Sequence, residues 1–243
     1  MQVQELKTII NESNRIVFFG GAGVSTASGI PDFRSANGLY HEKYHRTFSP
    51  EEMVSHTFFT DYTEDFFKFY KQKLVYPEAK PNACHIALAK LEKEGKLKAV
   101  VTQNIDGLHQ EAGSKNVFEL HGSVKRNYCT KCHTFYDAEY VMQAKGIPYC
   151  EKCGGVIKPD VVLYGEGLDD RIVSQAIEAI ENADTLIIGG TSLIVYPAAG
   201  LIDYFRGNKL VLINKSQTAT EGHADLVIHE DIAKVMQAAV LDA

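Results

Sequence analysis

An α/β fold, with a parallel sheet and a smaller domain built from two insertions, is predicted by three features of the 243-residue chain. Short apolar runs alternate with helical patterns. A glycine turn follows the first of those runs directly. Four cysteines fall as two C-x-x-C pairs inside a stretch that interrupts the alternation.

Residues 3–13 have the pattern of an opening helix. Strand signals recur at 15–19, 97–102, 185–189 and 209–214, with a weaker one at 226–228. They are continuous apolar runs, as strands covered on both faces require. Between them, 82–94 reads as a helix stopped by Gly95, and 197–206 as one stopped by Gly207. Residues 170–181 place Ile172, Ala176, Ile177 and Ile180 on one helical face. Alternation of this kind predicts a parallel sheet with helices on both sides.

Two segments break the pattern. Residues 37–76 are rich in aromatics (Phe58, Phe59, Phe66, Phe67, Phe69, Tyr70) and mostly helical, with Ser49-Pro50-Glu51-Glu52 as a helix start. Residues 125–156 hold the paired cysteines. The expected division is therefore 1–36, 77–124 and 157–243 for the sheet domain, with 37–76 and 125–156 together forming the small domain. A cleft between two such domains is a common ligand site.

The cysteines run Cys129-x2-Cys132, seventeen residues, then Cys150-x2-Cys153. That spacing predicts one tetrahedral zinc site. Four thiolates leave no open position, so the Zn2+ is structural; two disulfides or four incidental thiols are the alternatives. Cys84 stands alone in a predicted helix and reads as a small buried apolar residue.

Composition is ordinary for a globular protein, at 45% hydrophobic and 23% charged. A net charge of −6 argues against a nucleic-acid partner and is compatible with a basic peptide. No apolar run reaches membrane-spanning length, and the first residues lack a signal-peptide pattern, so a cytoplasmic protein is expected. The oligomeric state stays open.

The first strand runs into Gly20-Gly21-Ala22-Gly23. Glycines there let a chain turn tightly and let a pyrophosphate approach backbone N–H groups, as in a Rossmann-like dinucleotide site. Thr26 occupies the third glycine position of the usual fingerprint, and the acid expected about 20 residues on is not evident. Pro31-Asp32-Phe33-Arg34 adds an acid, an aromatic ring and a guanidinium. A redox enzyme does not need that set beside its phosphate loop, whereas an enzyme that breaks the cofactor could use it. Further polar groups sit at strand ends: Gln103, Asn104, Asp106 and His109; Glu119, His121 and Ser123; Gly190, Thr191 and Ser192; and Asn214. In open α/β sheets one crevice gathers such ends. Singly, each has a plainer role: Asn104 and Asp106 as helix caps, His121 as a structural histidine, Thr191-Ser192 as a turn.

Together these motifs resemble the sirtuins, NAD-dependent protein lysine deacylases. The matching blocks are Gly21-Ala-Gly-Val-Ser25, Gly29-Ile-Pro-Asp-Phe-Arg-Ser35, Thr102-Gln-Asn-Ile-Asp106, His121-Gly122, the four cysteines, Pro159-Asp-Val-Val-Leu-Tyr-Gly-Glu166, Gly190-Thr-Ser-Leu193 and Val195-Tyr-Pro-Ala-Ala199. The resemblance implies a Rossmann-like domain with a smaller zinc-ribbon and helical domain formed by insertions. It implies NAD as co-substrate, its pyrophosphate on the first glycine turn near Gly23, Thr26, Asp32 and Arg34. The nicotinamide pocket would be formed by Ala22, Ile30, Phe33, Asn104, Ile105 and Asp106. Phe33 would shield the cationic ribose, and Gln103 with Asn104 would bond its hydroxyls. Gly190, Thr191, Ser192, Asn214, Asp231 and Ile232 would surround the adenosine. An acyl oxygen of a substrate lysine would attack the ribose as nicotinamide leaves. His121 would be the general base, giving free lysine, nicotinamide and 2′-O-acyl-ADP-ribose. Val162, Leu163, Tyr164 and Gly165 would line the acyl-lysine tunnel of a protein substrate, partly by strand-like pairing.

The acyl pocket departs from members that prefer acidic acyl groups, which share a Tyr-x-x-Arg pair. The nearest match here is Tyr70-Lys-Gln-Lys73, and lysine cannot make the planar bidentate carboxylate contact. Neutral acyl groups, acetyl first, are expected. Protein mono-ADP-ribosylation is the alternative on the same NAD site; a binding module without turnover is less compatible with His121, Asn104 and Asp106, and a plain dehydrogenase with the zinc module and Asp32-Phe33-Arg34.

Overall fold

The structure is a computed structural model that describes residues 1–32, 48–218 and 220–242. Its strands are β1 (Ile16–Gly20), β2 (Leu97–Thr102), β3 (Val117–Glu119), β4 (Gly122–Cys129), β5 (Phe135–Asp137), β6 (Ile157–Val161), β7 (Thr185–Gly189), β8 (Lys209–Ile213) and β9 (Leu226–Ile228). The helices are α1 (Gln2–Glu12), α2 (Pro50–Met53), α3 (His56–Asp61), α4 (Thr63–Lys73), α5 (Ala83–Lys93), α6 (Leu108–Glu111), α7 (Ala138–Gln143), α8 (Asp170–Glu181) and α9 (Ile232–Met236).

Six strands form one parallel sheet in the order β3-β2-β1-β7-β8-β9. Within that sheet the order reverses between β1 and β7, as in the doubly wound dinucleotide fold. The apolar runs are continuous because both faces are covered. Ile16 and Phe18 point into a core with α1, α5 and α9, while Val17 and Phe19 point into a second core with α8. The remaining strands make a small antiparallel sheet, β5-β4-β6. A third core joins this sheet to the aromatic helices: Phe58, Phe59, Phe66, Phe67 and Tyr70 pack with Val124, Ile157 and Leu163. Arg126 of β4 ties the two sheets, pairing with Glu119 at 2.7 Å and Asp160 at 2.8 Å.

Every strand expected from an apolar run is present, within a residue of its predicted end. The opening helix, the 82–94 helix and the 170–181 helix are present too. Asn82 caps α5, accepting from Cys84 N–H, and Cys84 is fully buried. Ser49 and Glu52 form a reciprocal cap on α2, the start expected for the aromatic insertion. The 197–206 segment differs from expectation: it is a 3-10 helix over Ala198–Tyr204 rather than an α-helix. Gly200, within that segment, is a poor α-helix former. The small sheet draws in 122–124 and 157–161, on both sides of the cysteine segment.

Candidate active site and metal centre

The reversal point of the large sheet is where two glycine turns meet. Gly21 N–H donates to Gly189 O at 3.2 Å, and Gly23 N–H to Gly190 O at 2.8 Å. A methyl group on Gly23 would lie 2.8 Å from Gly190 Cα, so backbone packs directly on backbone. Gly190 has φ +60°, a conformation that glycine adopts without strain. Thr26, at the third fingerprint position, donates to Gly23 O at 3.0 Å and so fastens the turn itself. Asn82 supports the turn from α5: its Nδ2 donates to Val24 O at 2.8 Å and Ser28 Oγ at 2.9 Å.

The loop after β2 folds over this turn. Gln103 N–H donates to Gly20 O at 3.0 Å, and Asn104 N–H to Thr102 Oγ1 at 3.0 Å. Asn104 Nδ2 reaches Ser25 Oγ at 3.1 Å, and Ser25 Oγ donates to Asp106 Oδ2 at 2.7 Å. Asp106 Oδ1 accepts from Leu108 N–H at 2.9 Å, so Asp106 does cap the backbone entering α6. Asn104 does not act as a cap. Ile105 is held by Val124 N–H on its carbonyl at 2.9 Å.

His121 stands at the start of β4, where the two sheets adjoin. Its Nδ1 lies 3.0 Å from Gln103 O. A carbonyl only accepts, so Nδ1 carries the proton and Nε2 keeps its lone pair. Among the described residues Nε2 has no partner. Burial pushes the ring pKa below its ordinary value, outweighing the carbonyl bond that favours the cation. The His121 carbonyl accepts from Val162 N–H at 3.0 Å, joining the histidine to the 162–165 segment.

On the far side, Asn214 ends β8 and its Nδ2 donates to Ser216 O. Asp231 caps α9, accepting from Ala233 and Lys234 N–H, and pairs with Lys215 at 2.8 Å. Ile232 packs against Gly189 so closely that a methyl group there would collide with its Cδ1. Thr191 is buried and accepts from Leu193 N–H, whereas Ser192 is exposed. Ala22, Gly23, Thr26, Gln103 to Asp106, Gly190 to Ser192, Asn214 and Asp231-Ile232 thus all follow the C-terminal ends of β1, β2, β7, β8 and β9. Asp32 lies just beyond the first turn; Phe33 and Arg34 lie outside the described residues.

Tyr70 lies inside the aromatic core, 1% exposed, with its ring stacked on Phe66 at 5.8 Å. Its hydroxyl has no partner among the described residues. Lys73, the other half of the sequence pair, is part-buried at the end of α4. Sequence reading did not single out Asn82, His56 or Lys158. Asn82 and His56 lie 58 and 110 residues from Val24 and Glu166, so spacing carried no sign of them, and Lys158, eight residues from Glu166, belongs to no recognisable motif.

The four cysteines converge. The Sγ atoms of Cys129, Cys132, Cys150 and Cys153 all lie within 4.8 Å of one another. Three of the separations are 3.3, 3.4 and 3.6 Å. Zn–S bonds of about 2.3 Å in a tetrahedron give sulfur–sulfur edges of about 3.8 Å, so the cage fits one Zn2+ after slight expansion. A disulfide would need about 2.05 Å. Among the described residues this is the one such cluster.

A crevice at the reversal of a parallel sheet, a half-buried histidine base beside it and a four-thiolate cage define an enzyme class built on a nucleotide fold. The comparisons give the family: the Sir2 family model matches residues 21–197, and the chain belongs to that family. It is 69% identical over 236 residues to an NAD-dependent protein deacetylase of Clostridium perfringens, covering 97% of both chains. A protein of the same name from Clostridium acetobutylicum is 63% identical over 240 residues, covering 98% of both. Among solved structures, a Sir2 variant with deacetylated p53 peptide and 3′-O-acetyl-ADP-ribose superposes with TM-score 0.91 at 38% identity, covering 100% of this chain and 99% of that one. A Sir2 complex with p53 peptide and NAD+ gives 0.85 at 39%, covering 98% and 96%.

Proposed function

We propose that this protein is an NAD-dependent protein lysine deacetylase that releases nicotinamide and 2′-O-acyl-ADP-ribose. The observation that carries the reading is His121: a histidine whose Nδ1 proton is committed to a backbone carbonyl and whose Nε2 is left as a base at the mouth of a nucleotide crevice. The residues present fit NAD. The two interlocked glycine turns put backbone close to the crevice, and the buried Gln103 Nε2 has no partner among the described residues. When bound, NAD supplies a ribose carbon from which nicotinamide can leave.

In this reading His121 Nε2 takes a proton from a ribose hydroxyl, and Asn104 with Gln103 orients that sugar. Asp106 holds the nicotinamide amide, whose N–H groups suit a carboxylate, within a pocket shared with Ala22, Ile105 and Phe33. Arg34 pairs with phosphate, near Gly23, Thr26 and Asp32. Gly190 to Ser192, Asn214, Asp231 and Ile232 face the adenosine. Val162 to Gly165 receive the acyl-lysine of a protein substrate, with Tyr70 and Lys73 behind them. Cys129, Cys132, Cys150 and Cys153 hold one structural Zn2+. The same proposal takes 37–76 and 125–156 as the inserted segments of the small domain and the cytoplasm as the place of action. Among the described residues no helix is long and apolar enough to cross a membrane.

Mass spectrometry of an acetyl-lysine peptide incubated with NAD tests it, beside a His121→Ala protein. Loss of one acetyl group with formation of O-acetyl-ADP-ribose, by the unaltered chain only, is expected. ADP-ribose added to protein with the acetyl group retained would favour the transferase instead.

A further inference from the structure

The 162–165 segment leaves β6 extended and is anchored along one edge. Tyr164 N–H donates to Val54 O at 3.0 Å, and Tyr164 O accepts from His56 N–H at 2.9 Å. Ser55 and Tyr164 form a parallel bridge. Backbone groups of alternate residues face opposite edges of a strand, so Leu163 and Gly165 turn away from that anchor. Leu163 is already engaged: its carbonyl accepts from Glu166 N–H, and its own N–H donates to Glu166 Oε2, both at 2.9 Å. Gly165 N–H and C=O have no partner among the described residues.

The Glu166 carboxylate is the hub of this turn. Besides Leu163 N–H, Oε2 accepts from Lys158 Nζ at 3.0 Å, while Oε1 lies 2.8 Å from His56 Nδ1. Lys158 is further tied to Val161 O at 2.9 Å and Pro159 O at 3.3 Å. Three separate pieces of chain, β6, the first turn of α3 and the 162–165 segment, thus share one side chain. The lysine and glutamate side chains are only 22% and 21% exposed, which limits screening. Burial alone would raise the Glu166 pKa, but the Leu163 N–H, His56 and Lys158 outweigh it and hold the carboxyl below its ordinary range.

We propose that Glu166 is a positioning residue for the substrate peptide, its carboxylate fixing the 162–165 edge on which an acyl-lysine peptide lays its backbone. The identity of that peptide rests on the deacetylase reading. A pre-ordered edge lowers the cost of ordering chain on binding and leaves the chemistry at the ribose untouched. The effect therefore belongs to peptide affinity and not to NAD.

The test uses the full-length, zinc-loaded protein with Glu166→Ala and Glu166→Gln. Glu166→Ala is expected to raise the KM for acetyl-lysine peptide about 10-fold, with kcat and the KM for NAD within about two-fold. Glu166→Gln keeps an oxygen for Leu163 N–H and is expected to fall between. Amide hydrogen exchange at 162–165 gives a readout independent of turnover. It is expected to quicken in Glu166→Ala while β1 stays protected. An unchanged peptide KM, an equal rise in the KM for NAD, or unchanged exchange at 162–165 would overturn the proposal. Absence of acetyl removal by the unaltered chain would instead sink the deacetylase reading, and the exchange result would still decide the role of Glu166.

Discussion

Ser25 Oγ donates to Asp106 Oδ2 at 2.7 Å and accepts from Asn104 Nδ2 at 3.1 Å, joining the glycine turn after β1 to the loop after β2. A hydroxyl has one proton and two lone pairs, so both bonds form at once. Ser25 is 1% exposed, and water is poorly placed to replace it. Ser25→Ala leaves a buried amide and a carboxylate each short of a partner, at a cost of about 1–3 kcal/mol. The expected outcome is a fall in kcat/KM of roughly 10- to 100-fold, since Asn104 and Asp106 lose their fixed orientation. Steady-state kinetics beside thermal melting checks it. Wild-type kinetics in the variant would show that the loop keeps its shape without the joint.

The protonation of His121 sets a pH dependence. Its ring must be neutral for Nε2 to accept a proton, and burial holds its pKa below the ordinary 6.5. Activity should therefore climb with rising pH through a step below 6.5 and be flat near neutrality, where the base is already free. His121→Ala should cost roughly 10²- to 10⁴-fold in kcat and remove that step. A pH–rate profile of kcat/KM decides the matter. An acid limb lying above 6.5 would mean that another group governs the step.

The central sheet was legible because its strands are apolar on both faces. Residues 185–189 and 209–213 cannot be read as surface, and β1, β2 and β9 follow the same logic. Four strands were less visible, among them β5, three residues at the edge of the small sheet. β3 is a three-residue edge strand, too short to show a period. β4 carries Lys125, Arg126 and Asn127, and β6 carries Lys158, Pro159 and Asp160. These strands are fixed by pairing and by Arg126, not by hydrophobicity, so the cysteines drew attention and the sheet holding them did not. The site divides likewise. His121, Asn104 and Asp106 sit in motifs next to strand ends. Nothing in sequence joins His56 to Glu166 across 110 residues. Such contacts are properties of the fold, invisible until three elements are packed together.

Metal retention depends on more than the thiolates. Tyr136 Oη donates to Cys150 Sγ at 3.2 Å and accepts from Glu151 N–H at 3.0 Å, so it fixes the turn that presents Cys150. Groups that orient metal ligands typically contribute 10- to 100-fold in affinity. Tyr136→Phe should lose zinc to a chromogenic chelator at about 10-fold lower chelator concentration than the parent. Complete removal should loosen the small sheet, because the four thiolates join the end of β4 at Cys129 to the chain that leads into β6. Equal zinc release by the two proteins would reduce Tyr136 to a packing residue.

A pair of buried histidines should lower stability in acid. The rings of His85 and His109 lie 4.7 Å apart, at 0% and 1% exposure. His85 Nδ1 accepts from Asn82 N–H at 3.2 Å, which leaves the proton on Nε2. That Nε2 and both nitrogens of His109 have no partner among the described residues. Burial pushes His85 down to about 4, opposed in part by Asp106; burial, with His85 beside it, pushes His109 to about 3. Both folded values lie below the ordinary 6.5, so the unfolded chain binds protons first as pH falls. Their neutral forms cost no stability above 6.5. Below it, each histidine removes up to about 1.4 kcal/mol per pH unit until its folded pKa is reached. The loss should reach the nucleotide crevice early, because α6 carries His109 and begins directly after Asp106-Gly107. Urea unfolding at pH 7 and pH 5 measures it. His109→Leu removes one titrating ring and two orphaned nitrogens while filling similar space. It should be neutral or stabilising at pH 7, and its stability should fall with acid by about one proton less than the parent's. A variant with the parent's pH slope would assign the acid loss to groups other than this pair.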